Sequence, residues 1–151
     1  MRIQETLNEL LVELFHNIMD IEEKTLITQE FKDLTNNDMH VIEAIGTGRP
    51  KNMSTIAKEL SVTVGTLTIS VNNLVKKGYV LRERGTTDRR VVYISLSPKG
   101  KKANEHHARF HQEMIEAIIK ELDEEQKKLL ADTMTKLNHF FIDKKSKEIR
   151  K

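Results

Sequence analysis

The sequence lacks cysteine and tryptophan and has few other aromatic residues, with two Tyr and five Phe among 151 residues. Without cysteine the chain can form no disulfide, zinc ribbon or thiol nucleophile, and a reducing cytoplasm is the expected compartment. Little aromatic surface is available for stacking on sugars or bases. No apolar run approaches the roughly 20 residues that span a bilayer. We therefore expect a soluble, cytoplasmic protein with no membrane partner.

Sequence motifs for catalysis are also missing. Gly46 and Gly48 begin like a nucleotide-binding loop, but no third glycine stands three residues later and no G-K-[ST] follows. The nucleophile motif G-x-S-x-G is absent as well. We therefore expect that the protein is not an enzyme and needs no cofactor.

The charge is small overall and unevenly distributed. The net charge is +2, yet residues 1–45 hold 3 basic and 10 acidic residues, whereas residues 76–102 hold 9 basic and 2 acidic ones. Binding of a polyanion depends on clustered Lys and Arg rather than on total charge. The segment at +7 is therefore a candidate phosphate-binding surface, although charge alone favours an ordinary solvated basic face.

The N-terminal residues predict one long helix, from about residue 3 to residue 26, without Gly or Pro. A helix this long in so small a chain cannot bury its whole apolar stripe against its own fold, so we expect a homodimer. A second helix over residues 36–45 has Thr35 as N-cap and Gly46 as its stop, and residues 46–52 read as a loop. The stripe of the first helix is Ile3, Leu7, Leu10, Leu11, Leu14, Ile18 and Ile21.

A short helix, a three-residue turn and a longer helix follow. Asn52 or Ser54 caps the first, which ends near Leu60, and the second runs to about Lys77 before Gly78. This order predicts a helix-turn-helix. The inward side of the second helix is Val64, Leu67, Val71, Leu74 and Val75. Its outward side has no acid and offers hydroxyl, amide and methyl groups that can read base edges: Gly65, Thr66, Thr68, Ile69, Asn72, Asn73 and Lys76.

Alternating residues over 79–84 and 90–96 predict two strands joined by a basic loop, which makes a wing. Ser97 and Pro98 then open a helix, and Asp123 opens another. The predicted fold is mainly α with a small antiparallel β-hairpin. It is a winged helix-turn-helix lobe over 35–102, with long dimerisation helices over 1–34 and 103–151.

The stretch from Asp88 to Gly100 resembles the signature of the MarR family of winged helix-turn-helix transcription regulators. Five residues separate the Asp88-x-Arg90 pair from Leu96, and Ser97 replaces the usual threonine while keeping a capping hydroxyl. The order of elements is similar to that family over nearly the whole chain. The resemblance implies a homodimeric repressor that binds a pseudo-palindromic operator in double-stranded DNA.

Arg90 resembles the wing arginine of that family, and Asp88 can hold its guanidinium by a bidentate pair. A basic hairpin tip suits a narrow minor groove, although the pair could instead only close the hairpin. Arg84 and Arg89 are candidates for phosphate or groove contacts, and the outward helix side could be merely solvated. The candidate DNA-binding residues are Ser54, Thr55, Thr63, Gly65, Thr66, Thr68, Ile69, Asn72, Asn73, Lys76, Arg84, Asp88, Arg89 and Arg90.

Seven segments are similar to one group within the family, the repressors of fatty-acid synthesis of Gram-positive bacteria: 32–35, 39–40, 62–68, 72–74, 77–79, 88–92 and 107–111. The resemblance implies that acyl-acyl carrier protein is the corepressor. Such a ligand needs an apolar tunnel and a basic docking patch, for which Lys76, Lys77, Arg82, Lys99, Lys101 and Lys102 are candidates. The candidate effector-binding residues are Phe15, Ile18, Met19, His40, Ile42, His107, Phe110, His111 and Met114.

The histidines allow an alternative. His107 and His111 are four residues apart on one helix face, and with His40 and a carboxylate of Glu22 or Glu23 they could form a tetrahedral zinc site. Some zinc-sensing relatives in the MarR family resemble this layout. A histidine on an apolar stripe is more often a hydrogen-bonded interior residue, so the sequence leaves both the metal site and the structural role open.

Overall fold

The computed structural model describes residues 2–26 and 30–149 and confirms the predicted fold class. The order is α1 (Ile3–Leu26), α2 (Asn36–Ile45), β1 (Lys51–Asn52), α3 (Met53–Leu60), α4 (Val64–Lys77), β2 (Val80–Arg84), β3 (Val92–Leu96), α5 (Pro98–Lys120) and α6 (Glu124–Ile149). The chain divides into two compact units, Met1–Phe110 and His111–Lys151. The first unit contains the whole helix-turn-helix and the wing.

Local chemistry fixes the helix ends. Thr35 and Asp38 form a capping box at α2, with each side chain accepting from the other residue's backbone N–H at 3.1 Å. Of the two candidates for the α3 cap, Asn52 fills the position, since its Oδ1 accepts from the Thr55 N–H at 2.8 Å. Gly78 ends α4 at a φ of 86°, a left-handed conformation in which glycine is favoured.

The sheet has three antiparallel strands in the order β1-β3-β2. Val80 pairs with Leu96 and Arg84 with Val92, which places the hairpin in the predicted position. Both hairpin strands are shorter than predicted at their first residues. The strand β1 was not predicted, because two residues carry no alternation and their partners, Ile94 and Tyr93, lie far along the chain.

The core of the first unit lies between α2, α3, α4 and the sheet. Burying one such aliphatic side chain contributes about 1.5–3 kcal/mol. Val64 was expected to point inward but is 46% exposed, because it is the first residue of α4 and lies outside the packed turn. The side chains with at most 1% exposure are Met39, Ile42, Ile45, Ile56, Leu67, Val71, Leu74, Tyr79, Ile94 and Ala103.

Two helices expose apolar rows. On α1, Leu7, Leu10, Leu11 and Leu14 are all more than half exposed, and α6 in the second unit exposes Leu129, Met134, Phe140 and Phe141 in the same way. Contiguous apolar surface of this kind is typical of a protein interface. Among the described residues, the helices lack the length and apolar character that crossing a membrane requires.

Candidate nucleic-acid interface

The helix α4 presents its predicted outward side to solvent. Ile69 is 73% exposed, Thr68 is half-buried, and the other five positions on that side are exposed. Thr63 caps the helix: its hydroxyl oxygen accepts from the Thr66 N–H at 3.1 Å and its hydroxyl donates to Thr66 Oγ1 at 2.9 Å. The Thr68 hydroxyl donates to the Val64 carbonyl at 2.7 Å. The cap therefore holds Thr66, a candidate for base contact, in a defined place.

The helix α3 and the turn after it complete the helix-turn-helix. Ser54 and Thr55 are exposed at the start of α3, at the end where backbone N–H groups point outward. Ser61 lies in the left-handed region at a φ of 56° and ends α3. The turn thus connects two helices whose N-terminal residues are both accessible.

The wing tip is built around the pair of Asp88 and Arg90. Asp88 Oδ1 accepts from the Arg90 backbone N–H at 3.0 Å and from Nε at 3.1 Å, and Oδ2 accepts from Nη2 at 3.2 Å. The bidentate pair expected from the sequence is therefore present. The hydrogen bonds from Arg90 hold the pKa of the Asp88 carboxyl below its ordinary value of 3.8. The Arg90 side chain is 91% exposed, so an ion pair here adds little stability and serves mainly to orient the guanidinium.

The loop behind this tip requires Gly85. Its N–H donates to the Val91 carbonyl at 2.8 Å, which closes the hairpin. A Cβ at Gly85 would lie 2.6 Å from the Asp88 carbonyl oxygen, closer than side chains are found. Glycine here therefore allows the two strands to approach next to the Asp88–Arg90 pair.

A groove of about 620 Å³ lies between the end of α4 and the wing. The register of β2 and β3 places Arg82 and Arg84 on the same side as the buried Val80. Arg82, a candidate for carrier docking in the sequence analysis, therefore neighbours the DNA-binding candidate Arg84. The groove is lined by Val75, Gly78, Val80, Leu81, Arg82, Arg84 and Val92.

Two lysines proposed for carrier docking, Lys77 and Lys99, contact other residues of the first unit. Lys77 Nζ donates to Asp38 Oδ2 at 3.0 Å and also to the Asp33 carbonyl oxygen. Lys99 Nζ lies 4.4 Å above the centre of the Tyr79 ring. These partners were not predicted from the sequence, because residues 20 to 44 positions apart leave no periodic signal.

The effector candidates of the first unit are dispersed. Ile42 is fully buried in the core whereas His40 is exposed, since residues two apart on a helix are roughly 200° apart around its axis. Phe15 is 65% exposed, and Ile18, Met19 and Phe110 are half-buried. In the second unit His111 and Met114 are half-buried.

His107 is the most enclosed of the histidine candidates. It is 4% exposed, and its Nε2 lies 3.8 Å from Glu43 Oε2. Glu22, also buried, places a carboxylate oxygen within 4.8 Å of a His107 ring nitrogen. A neighbouring histidine that the sequence analysis passed over, His106, lies with Nε2 3.1 Å from the Thr25 carbonyl oxygen at the end of α1.

A helix-turn-helix followed by a basic hairpin defines a winged helix-turn-helix DNA-binding regulator. The chain belongs to the MarR family, whose model matches residues 34–92. It is 35% identical to the transcriptional regulator SarZ of Staphylococcus saprophyticus over 69% of this chain and 70% of SarZ. The crystal structure of Streptococcus pneumoniae FabT in complex with DNA is similar at a TM-score of 0.88, with 41% identity over 93% of this chain and 98% of FabT.

Other relatives match over a smaller part of their length. The Bacillus subtilis regulator YhjH is 28% identical over 60% of this chain and 51% of its own length, so the chain spans about half of that relative. These relatives are all transcription regulators, which places this chain in a class of DNA-binding regulators rather than enzymes.

Proposed function

We propose that the protein is a homodimeric repressor of fatty-acid synthesis genes. The observation that carries the proposal is the wing, where Asp88 orients a 91% exposed Arg90 in the same compact unit as the acid-free side of α4. The similarity to FabT, solved with DNA, supports the choice of regulated genes.

The helix α4 reads the major groove. Thr66 and Asn72 are exposed and carry groups that donate to and accept from base edges, while Ile69 offers methyl groups to thymine. Lys76, exposed one turn beyond Asn72, contacts phosphate. Ser54 and Thr55 at the start of α3 contact the backbone, which sets the depth of α4 in the groove.

The wing reaches the neighbouring minor groove. Two parallel hydrogen bonds from the guanidinium of Arg90 to Asp88 hold its planar group in one orientation, so little side-chain entropy remains to be lost on insertion. Narrow minor grooves have an enhanced negative potential that favours arginine. Arg84 and Arg89, close together behind the tip, contact the flanking phosphates.

The apolar rows of α1 and α6 form the dimer interface. Four leucines of α1 are more than half exposed, which is costly for a monomer in water. A two-fold dimer places two α4 helices about one turn of DNA apart, so we expect a pseudo-palindromic operator.

The corepressor is acyl-acyl carrier protein. With Lys77 and Lys99 already engaged and Lys76 assigned to phosphate, the docking patch retains Arg82, Lys101 and Lys102 as exposed cations for an acidic carrier. We propose that the acyl chain enters beside the buried His107, and the half-buried Ile18, Met19 and Phe110 are the apolar candidates for contacting it. A ligand raises operator affinity only through its preference for the DNA-competent state, a coupling of about 1–3 kcal/mol.

The test begins with an operator selected by the protein from randomised duplex DNA. Carrier protein loaded with a long acyl chain should then tighten operator binding about tenfold, whereas unloaded carrier and free fatty acid should not. The variant His107→Ala should lose most of this response and keep its basal affinity, and the matched variant His139→Ala, at an exposed position of α6, should respond normally. No effect of loaded carrier on any variant would refute the corepressor.

A zinc-responsive regulator is the second candidate, and the closeness of buried Glu22 and His107 favours it. His111 follows His107 by one turn of α5 and supplies the further imidazole that zinc would require. Metal analysis of the purified protein and a zinc titration of operator binding separate the candidates. Stoichiometric zinc that switches operator affinity, lost in Glu22→Gln, would favour the metal sensor over the acyl sensor.

A further inference from the structure

Three parts of the first unit meet in a polar junction at the C-terminal end of α4. The junction consists of Asp33 in the segment after α1, Asp38 at the start of α2, and Lys77 and Tyr79 on either side of Gly78. Its members come from positions far apart in sequence. The C-terminal end of α4 therefore contacts polar partners, whereas the middle of the helix packs against the apolar core.

Tyr79 is fully buried and donates its hydroxyl to Asp33 Oδ1 at 2.6 Å. Burial raises the pKa of this hydroxyl, and the Asp33 carboxylate raises it further, so the tyrosine remains a neutral donor at every ordinary pH. A buried hydroxyl without a partner would be costly. The bond consequently fixes the start of the wing to the segment after α1.

Lys77 makes the second connection. Its ammonium group lies 3.0 Å from Asp38 Oδ2, and only 5% of the Asp38 side chain is exposed. The same carboxylate oxygen accepts from the Thr35 N–H in the capping box of α2. The last turn of α4 is thereby held to the first turn of α2 through one shared carboxylate.

We propose that Tyr79 and Asp33, with Lys77 and Asp38, are positioning residues for operator recognition. They set the angle of α4 relative to α2 and the segment after α1 without touching DNA. The proposal rests on the DNA interface proposed for α4, and it deepens that interface by naming what orients it.

Because the junction lies at the C-terminal end of α4, a small change of angle there displaces the N-terminal end of the helix. Thr66 lies 12 residues before Gly78, a distance of about 18 Å along an α-helix. A tilt of about 5° at the junction would therefore move Thr66 by roughly 1.6 Å. Hydrogen bonds to base edges need donor–acceptor distances of roughly 2.7–3.2 Å, so such a displacement breaks them. Contacts to phosphates, made by flexible lysine and arginine side chains, adapt to it.

The test compares operator binding with binding to unrelated duplex DNA. Tyr79→Phe removes one hydroxyl from the junction and should weaken operator binding about tenfold while leaving non-specific binding and its salt dependence unchanged. Asp33→Asn keeps the carbonyl oxygen that accepts from Tyr79 and should stay within about twofold of the unaltered protein. Asp33→Ala combined with Tyr79→Phe should be no weaker than the more affected single variant, because both remove the same bond.

A control separates positioning from general loss of stability. Ile45→Val removes one methylene from a fully buried core residue of α2 and should lower the melting temperature without changing the ratio of operator to non-specific binding. An unchanged ratio in Tyr79→Phe, or an equal loss of ratio in Ile45→Val, would overturn the positioning role. If the unaltered protein selects no specific duplex, the proposed DNA readout fails first and the positioning role fails with it.

Discussion

Lys51 of β1 donates its ammonium group to the Ala44 carbonyl oxygen near the end of α2, at 2.8 Å, and pairs with Glu59 of α3 at 3.1 Å. One side chain thereby joins two helices to the sheet. Because β1 also pairs with β3, this corner connects the helix-turn-helix to the wing. The helix α4 and the wing arginine therefore belong to one packed unit of the fold.

The wing arginine provides the first prediction. Arg90→Ala should weaken operator binding by about 1–3 kcal/mol, since a groove contact is lost. Arg90→Lys should recover only part of this, because lysine cannot make the bidentate pair with Asp88. Binding titrations on the selected operator measure both. A loss below twofold in Arg90→Ala would mean that the wing tip does not enter the groove.

The second prediction concerns pH. Asp88 has a pKa lowered from 3.8, so the carboxylate and its pair with Arg90 are fully present above that value and are lost only as the pH falls through the lowered pKa. The affinity ratio between the unaltered protein and Arg90→Ala should thus be constant from pH 8 to pH 5. A ratio that changes near pH 6.5, the range of histidine, would show that another group controls the wing.

The third prediction assigns Ile69 to thymine. Replacing a contacted thymine by deoxyuridine removes one methyl group and should cost about 0.8 kcal/mol, or fourfold in affinity. In Ile69→Ala the same replacement should have no effect, because the partner is already gone. Ile115→Ala, at an exposed isoleucine of α5, should retain the full sensitivity. Thymine replacements without effect on the unaltered protein would exclude the contact.

The fourth prediction tests the dimer. Leu11→Lys places a charge in the apolar row of α1 and should yield monomers with greatly reduced operator affinity, measured by sedimentation and binding. Glu9→Lys adds the same side chain roughly 160° around the helix and should remain dimeric. Leu137→Lys tests the row on α6 in the same way. Sedimentation of the unaltered protein as a folded monomer would contradict this assembly.

The fifth prediction concerns the start of α5. A Cβ at Gly100 would lie 2.1 Å from the Tyr79 carbonyl oxygen, so Gly100→Ala should lower the free energy of unfolding by about 3 kcal/mol. Gly48→Ala has open space around the added methyl and should stay within about 0.5 kcal/mol. Thermal and urea unfolding give both values. Equal stability of the two variants would show that the backbone of α5 moves aside.

Sequence reasoning succeeded where the determinants are local. The cap of α2 by Thr35, the end of α4 at Gly78 and the pair of Asp88 with Arg90 each involve residues within three or four positions, or a glycine at a turn. Such chemistry can be read directly from the chain. The class of fold followed from the order of these local elements.

Prediction from the sequence failed where the determinants are distant along the chain. The bond between Tyr79 and Asp33 spans 46 positions, and the strand β1 exists only through its pairing with β3. The grouping of His40 with Ile42 failed for a different reason, since the two lie on different sides of α2 and only Ile42 enters the core. Periodicity orders residues around one helix but does not say which neighbour each face will meet.

Asn52 belongs to two structures at once, as the last residue of β1 and the cap of α3. Because no linker separates β1 from α3, we expect the wing and the helix-turn-helix to move together as one rigid lobe. In the proposed dimer, we therefore expect an effector to change the distance between the two lobes rather than the shape of either lobe.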